Sequence, residues 1–247
     1  MSTLKVNNIQ SFTGADPVTI NDKLVTSGST AAGNFAHAEG DSTEATGNFS
    51  HAEGALTKAT GNFSHAEGYF TTASGLYSHA EGFQTTASGY ASHTEGNTTK
   101  ATGNHSHAEG NATQAIGSGA HTEGYDTIAS GTLSHAEGRN TTALGDYSHA
   151  EGLTTTASGD YSHTQGRGTQ ANGNYQMVMG QYNVPNTSSL VIIGGGTNYG
   201  GLRKNVAEFN ASSIVLDSGS LPTSNPGNLG QLYRTGSNFD EIRISLG

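Results

Sequence analysis

Bulky apolar side chains are scarce along most of this chain, and small residues recur there on a fixed beat. Gly occupies every seventh position from Gly33 to Gly180, twenty-two times in succession. Two residues before it stands Ala in 18 units, the exceptions being Thr94, Thr122, Thr164 and Val178. Four residues before it stands Ser or Thr in 19, the exceptions being Ala36, Ala120 and Gln176. Small residues at alternate places over five positions fit the period of two of an extended strand, not the 3.6 of a helix. The heptad predicts a short strand whose Ser/Thr and Ala side chains enter a thin interior. Gly at each end supplies φ freedom for a bend, which the two variable residues complete.

Odd and even units differ, so a period of fourteen lies over the period of seven. Ser50-His51-Ala52-Glu53-Gly54 is followed by Thr57-Lys58-Ala59-Thr60-Gly61 and then by Ser64-His65-Ala66-Glu67-Gly68. One coil is two units, and the block 29–182 holds eleven coils. Stacked at about 4.8 Å per coil, they predict an all-β parallel β-roll, or solenoid, about 50 Å long.

The Ser, any, Ala, any, Gly unit closely resembles the head repeat of trimeric autotransporter adhesins, over 154 of the 247 residues. The resemblance implies a left-handed roll assembled as a homotrimer, with the positions flanking Ala directed towards the threefold axis. The adhesins carry apolar residues there; this chain carries His and Glu. In that respect the alternation of Ser-His-Ala-Glu-Gly with Thr-Thr-Ala-Ser-Gly is more similar to phage virion proteins.

Composition sharpens the picture. Leu, Ile, Val and Phe number 39, or 16% of the chain, below the level of roughly 20% at which an acidic sequence is expected to be disordered. Something other than bulky side chains must organise the fold. The absence of Cys removes disulfides, thiolate zinc sites and thiol nucleophiles. Neither a signal peptide nor a run of 18 apolar residues is expected from the sequence, so membrane insertion is not expected. The net charge of -10 lies wholly in the repeat block, which has 14 acidic and 4 basic residues. That balance argues against a nucleic-acid partner.

The candidate chemistry is a pair of columns. His37, His51, His65, His79, His93, His107, His121, His135, His149 and His163 are spaced by 14. Two places after the first nine stand Glu39, Glu53, Glu67, Glu81, Glu95, Glu109, Glu123, Glu137 and Glu151, and after the tenth stands Gln165. Alternation puts both columns on one outward face while Ser points inward, so Ser50, His51 and Glu53 do not form a hydrolase triad. Two readings remain for the face. One is a trimer contact in which His and Glu pair and imidazoles relieve the self-repulsion of the Glu column. The other is an ion held near the threefold axis by imidazoles. No cofactor is otherwise expected. In the last coil Met177 and Met179 replace His and Glu, and are expected to close the axis as an apolar plug. Titration of the face predicts a stability change between about pH 5 and 7.5, of unfixed direction.

A further column precedes the Ser of each coil: Phe35, Phe49, Phe63 and Tyr77, then Ala91, His105, Gly119 and Leu133, then Tyr147, Tyr161 and Tyr175. It reads as stacked aromatics at a corner, with glycan stacking as the functional alternative. Four segments are expected: an N-terminal β attachment segment at 1–28, the roll at 29–182, a neck at 183–219 and a C-terminal β-hairpin module at 220–247. The residues 2–22, 190–219 and 221–247 are similar to segments of phage tail-fibre and virion proteins. Tyr233, Arg234, Phe239 and Asp240 are candidate receptor contacts. The reading is a non-enzymatic, homotrimeric attachment protein of a phage tail fibre or virion. It would bind other tail proteins through its N-terminal segment and a host receptor or glycan through its far end. A bacterial surface adhesin head and a capsid decoration protein are the alternatives.

Overall fold

The computed structural model describes residues 28–197 and 203–216, together with the backbone of the strands Leu232–Thr235 and Glu241–Ile244. The expected N-terminal segment, except Gly28, and the candidate contacts Phe239 and Asp240 lie outside the described residues.

Two parallel ladders form the body. One is an 11-stranded sheet of two-residue strands, from Thr30–Ala31 to Gln170–Ala171. The other starts at His37–Asp41 and carries the His and Glu columns. Registers step by fourteen throughout, so His51 pairs with His65, Ala52 with Ala66 and Glu53 with Glu67. The second ladder continues past residue 182. Val191–Gly195 pairs in parallel with Met177–Gln181 in the same register, giving a twelfth layer. Two antiparallel strands, Asn205–Phe209 and Ile214–Leu216, then follow. Leu232–Thr235 and Glu241–Ile244 pair as a separate antiparallel ladder, Tyr233 opposite Arg243 and Arg234 opposite Ile242.

The interior is as thin as the heptad predicts. Ala38, Ala52, Ala66 and their equivalents in both sheets are fully buried, as are Thr57, Thr71 and Thr85. The Ser column is satisfied locally: Ser50 Oγ donates to the Gly47 carbonyl at 2.6 Å and Ser78 Oγ to that of Gly75 at 2.7 Å. The hydroxyls of Thr57, Thr71, Thr85 and Thr99 have no hydrogen-bond partner among the described residues. So the interior is held together by backbone ladders and close contact between small side chains more than by apolar bulk.

The glycines divide into two kinds, where the heptad had given all of them one task. Those after the His-bearing strand, such as Gly54 and Gly82, have φ of 105° and 103° and make the bend. Those after the second strand, such as Gly47 and Gly75, have ordinary φ. Their constraint is space alone, because a Cβ on Gly75 would lie 1.9 Å from the Gly89 carbonyl oxygen, whereas Gly54 and Gly82 combine a similar clash, at 2.1 and 2.2 Å, with positive φ. Left-handed backbone falls instead on side-chain-bearing residues at two corners of each coil, including Phe49 at 55° and Leu56 at 57°. Such residues cost about 1–2 kcal/mol each. The cost is offset by inter-coil hydrogen bonds, Phe49 N to Asn34 O and Leu56 N to Asp41 O, both 2.8 Å. At the first corner the next coil's side chain adds a second bond, Asn48 Oδ1 accepting from Asn34 N at 3.0 Å.

The C-terminal end of the roll is closed by polar side chains as well as apolar ones. Gln176, one of the three breaks in the Ser/Thr rule, is buried. It accepts from Asn172 N and Gly173 N and donates to Asn186 O and Ser189 O. Asn183, fully buried, mimics the next strand. Its Oδ1 accepts from Gln170 N at 2.8 Å and its Nδ2 donates to Gln170 O at 2.9 Å, covering the edge of the smaller sheet. Val178 and Ile192 enlarge the Ala column and fill the last layers. Met177 and Met179 stand outside it, half-buried on the outer face beside Val191 and Ile193.

Candidate functional site

Strand alternation places His and Glu on either side of each buried Ala, facing away from the interior. Because the register step is fixed at fourteen, each imidazole lies over the next. Ring centroids from His37 to His163 are 4.7–5.0 Å apart, and planes are within 12° of parallel except for the 46° of the last pair. The face is half-buried along its length, with exposures of 35% and 34% for the His65 and Glu67 side chains.

The pairing between columns changes along the roll. His37, His51 and His65 have Nε2 nearest the Glu of their own strand, at 3.5, 3.7 and 3.6 Å. From His93 onward the neighbour is the Glu of the preceding coil, as in His121 with Glu109 at 3.5 Å and His149 with Glu137 at 3.2 Å. His79 sits at the changeover. Only the His149 contact is a hydrogen bond. The Nε2 atoms of the other nine ladder histidines are covered yet have no hydrogen-bond partner among the described residues. The expected relief of Glu repulsion by imidazole donors is therefore largely absent within one chain.

The carboxyls relieve one another instead. Proton sharing with Glu67, then burial, pushes Glu81 up to about 7, and the same two causes raise Glu109 and Glu137 through Glu95 and Glu123. Glu67, Glu95 and Glu123, on the accepting side of those bonds, are lowered. Burial, followed by the flanking imidazoles, lowers His51, His79, His107 and His135. These shifts favour the neutral form of the four histidines, and Glu81, near 7, holds its proton part of the time at neutral pH.

No hydrolase triad is assembled: the Ser50 hydroxyl is buried and bonded to Gly47, on the opposite side of the strand from His51. The corner aromatics are exposed, but their faces are turned to one another, with Phe35, Phe49, Phe63 and Tyr77 stacked at 5.0–5.1 Å and Tyr147, Tyr161 and Tyr175 at 4.8–5.1 Å. A sugar ring would find open ring faces only at the ends of each stack. Tyr233 and Arg234 are adjacent on one hairpin strand.

The half-buried face carries three features the heptad did not reveal: the change in pairing, the orphaned Nε2 atoms and the proton sharing. No residue type marks them, because they depend on how neighbouring coils lean. The apolar end of the face was partly legible, since Met177 and Met179 interrupt the pattern, while Val191 and Ile193 join it only through the twelfth layer.

Among the curated proteins none matches this chain. The YadA head domain repeat matches it twice, over residues 123–148 and 136–162. Those residues lie inside the parallel ladders and share their fourteen-residue register with the coils before and after them. The body of this protein is a β-roll of repeats similar to those of YadA heads.

Proposed function

We propose that this chain is a non-enzymatic spacer and attachment protein that works as a homotrimer, its three rolls joined along the His and Glu faces. One observation carries the reading. A single outer face bears stacked imidazoles whose covered Nε2 atoms lack partners and, from Glu67 to Glu137, carboxyls that share protons, then turns apolar at Met177, Met179, Val191 and Ile193. Such a face is poorly suited to water and well suited to copies of itself, because residues lining a threefold axis meet their own equivalents at the same height. The YadA-like repeat supports self-association of this kind. A solenoid in which each layer rests on its neighbours is stiff, and stiffness is what a spacer needs.

The setting we favour is a phage tail fibre or virion appendage, with the first segment bound to the particle and the hairpin end towards a host receptor or glycan. Its support is the similarity of the flanking segments and the Ser-His-Ala-Glu-Gly variant to virion proteins. A bacterial surface adhesin head uses the same physics and is favoured by the YadA match. Native mass spectrometry tests the assembly: three times the 25.3 kDa chain mass is expected, and a monomer at micromolar concentration contradicts it. Negative-stain images of virions labelled at the N-terminus test the setting, and label away from any particle contradicts it. A polysaccharide degradation assay on host surface polymer is expected to show no turnover.

A further inference from the structure

The geometry points to a second role for the same face: we propose that it is an array of divalent transition-metal sites, each formed within one chain by imidazole nitrogens and carboxylates of successive coils. The inference does not rest on the trimer, because every ligand of a site comes from one protomer.

Two sites illustrate the construction. Glu81, His93 and Glu95 offer one ligand atom each, all within 4.8 Å of one another, and so do Glu109, His121 and Glu123. The Nε2 of His93 lies 4.0 Å from Glu81 Oε1, and that of His121 lies 3.5 Å from Glu109 Oε1. Bonds of about 2.0–2.1 Å in a tetrahedral site hold ligands about 3.4 Å apart, so closure needs side-chain shifts of about 1 Å or less. Half-exposed glutamates have that freedom, while the ladder fixes the imidazoles.

A second observation is independent of this clustering. The Nε2 atoms of His93 and His121 are covered and make no hydrogen bond. A covered ring nitrogen without a partner has a cost, and coordination would remove it. Within a single protomer the carboxylate side opens on a groove that Glu81 and Glu95 line with Gly82 and Gly96. Imidazole with carboxylates selects zinc, nickel or copper over magnesium and calcium, which take oxygen ligands. Three protein ligands leave a fourth position for water.

Ligand sharing sets the stoichiometry. The intervening group, Glu95 with His107 and Glu109, borrows a carboxylate from each neighbour. Ions in adjacent groups would lie about one coil spacing, ~4.8 Å, apart, so alternate groups fill first. At the changeover His65, Glu67 and His79 supply two imidazoles, which makes this the tightest site for nickel or copper. This group and the two described first share no ligand, so at least three ions per chain are expected.

The test uses the full chain without a histidine tag, stripped with chelator. It is titrated with zinc chloride by calorimetry, its bound ions are counted by native mass spectrometry, and cobalt(II) absorption reads the geometry. Zinc is expected to bind at three or more equivalents per chain and raise the melting temperature. Cobalt is expected to show the intense visible bands of a tetrahedral site. His93→Gln should remove one equivalent, and Glu81→Gln, checked for fold by circular dichroism, should do the same. His105→Gln, in the corner column away from the face, should leave the count unchanged. Fewer than one zinc per chain at micromolar concentration, or equal losses in the His93 and His105 variants, would overturn the proposal.

Discussion

Replacing Gly75 by Ala tests why Gly recurs every seventh residue. Backbone torsion does not require it, because Gly75 is not among the positive-φ residues. The new Cβ would instead lie 1.9 Å from Gly89 O, 2.7 Å from Gly89 C and 3.0 Å from Ser88 O. Restoring a tolerable contact means parting the coils by about 1 Å at that corner, and both hard atoms are backbone. The bonds closing the corner are Ser74 N to Ala87 O at 2.9 Å and Gly75 N to Ala87 O at 3.3 Å. Both would be lost, at about 1 kcal/mol each, with further loss where interior side chains separate, so about 3 kcal/mol per chain is expected. In a chain of this size that is a melting-temperature fall of about 6–12 °C. Gly119→Ala is the matched control. Its φ of 66° belongs to the corner where other coils carry Phe, Tyr or Leu, and its Cβ would meet only the flexible Leu133 side chain. Only the left-handed backbone cost of about 1–2 kcal/mol is expected there, with no parting of the coils. Thermal melts followed by circular dichroism, with hydrogen exchange to locate the damage, read both. Equal effects of the two substitutions would refute the steric account of Gly75.

Further expectations follow from the interior, the end and the face. Thr85→Val removes a buried hydroxyl without a partner at nearly constant shape, so urea unfolding should show a gain of about 1 kcal/mol, whereas Ser78→Ala, which breaks the bond to Gly75 O, should lose a similar amount. Asn183→Ala deletes both bonds to Gln170 and should cost about 2 kcal/mol, with early hydrogen exchange at Gln170 and Ala171. In chelator, stability should pass through a maximum near pH 6–7. On the alkaline side Glu81, raised to about 7, takes up its proton in the folded state first, so lowering pH through 7 stabilises. Below about 6.5 the lowered histidines invert the sign, because the unfolded chain then binds more protons; below about 4.5 the lowered Glu67, Glu95 and Glu123 add to the loss. Glu81→Gln should flatten the alkaline limb, and an unchanged limb in melts would contradict the proton sharing.

The coil was legible because a seven-residue beat of Ser/Thr, Ala and Gly leaves strand geometry as the only consistent period. Inward and outward positions followed from alternation, which is why Ala52 and Ser50 are buried and His51 and Glu53 are not. The corners were less legible. Phe49 and Leu56 adopt left-handed backbone although neither residue type prefers it, since the inter-coil hydrogen bonds of their amides decide the matter. The closure of the roll depended on Gln176 and Asn183, and only Gln176 left a mark, as a break in the Ser/Thr rule. The pairing of each His with its own or the preceding Glu turns on differences of a few tenths of an ångström, which composition does not encode.

The central claim is that three copies meet on the His and Glu face, and the absence of Cys from the chain allows a direct measurement. His107→Cys places one thiol on that face, and Lys100→Cys places one on the outer side of the other sheet. Under mild oxidation followed by denaturing, non-reducing electrophoresis, His107→Cys should give a covalent dimer and Lys100→Cys should remain a single chain. Equal cross-linking at the two positions, or none at position 107 in a sample that native mass spectrometry finds trimeric, would contradict the account.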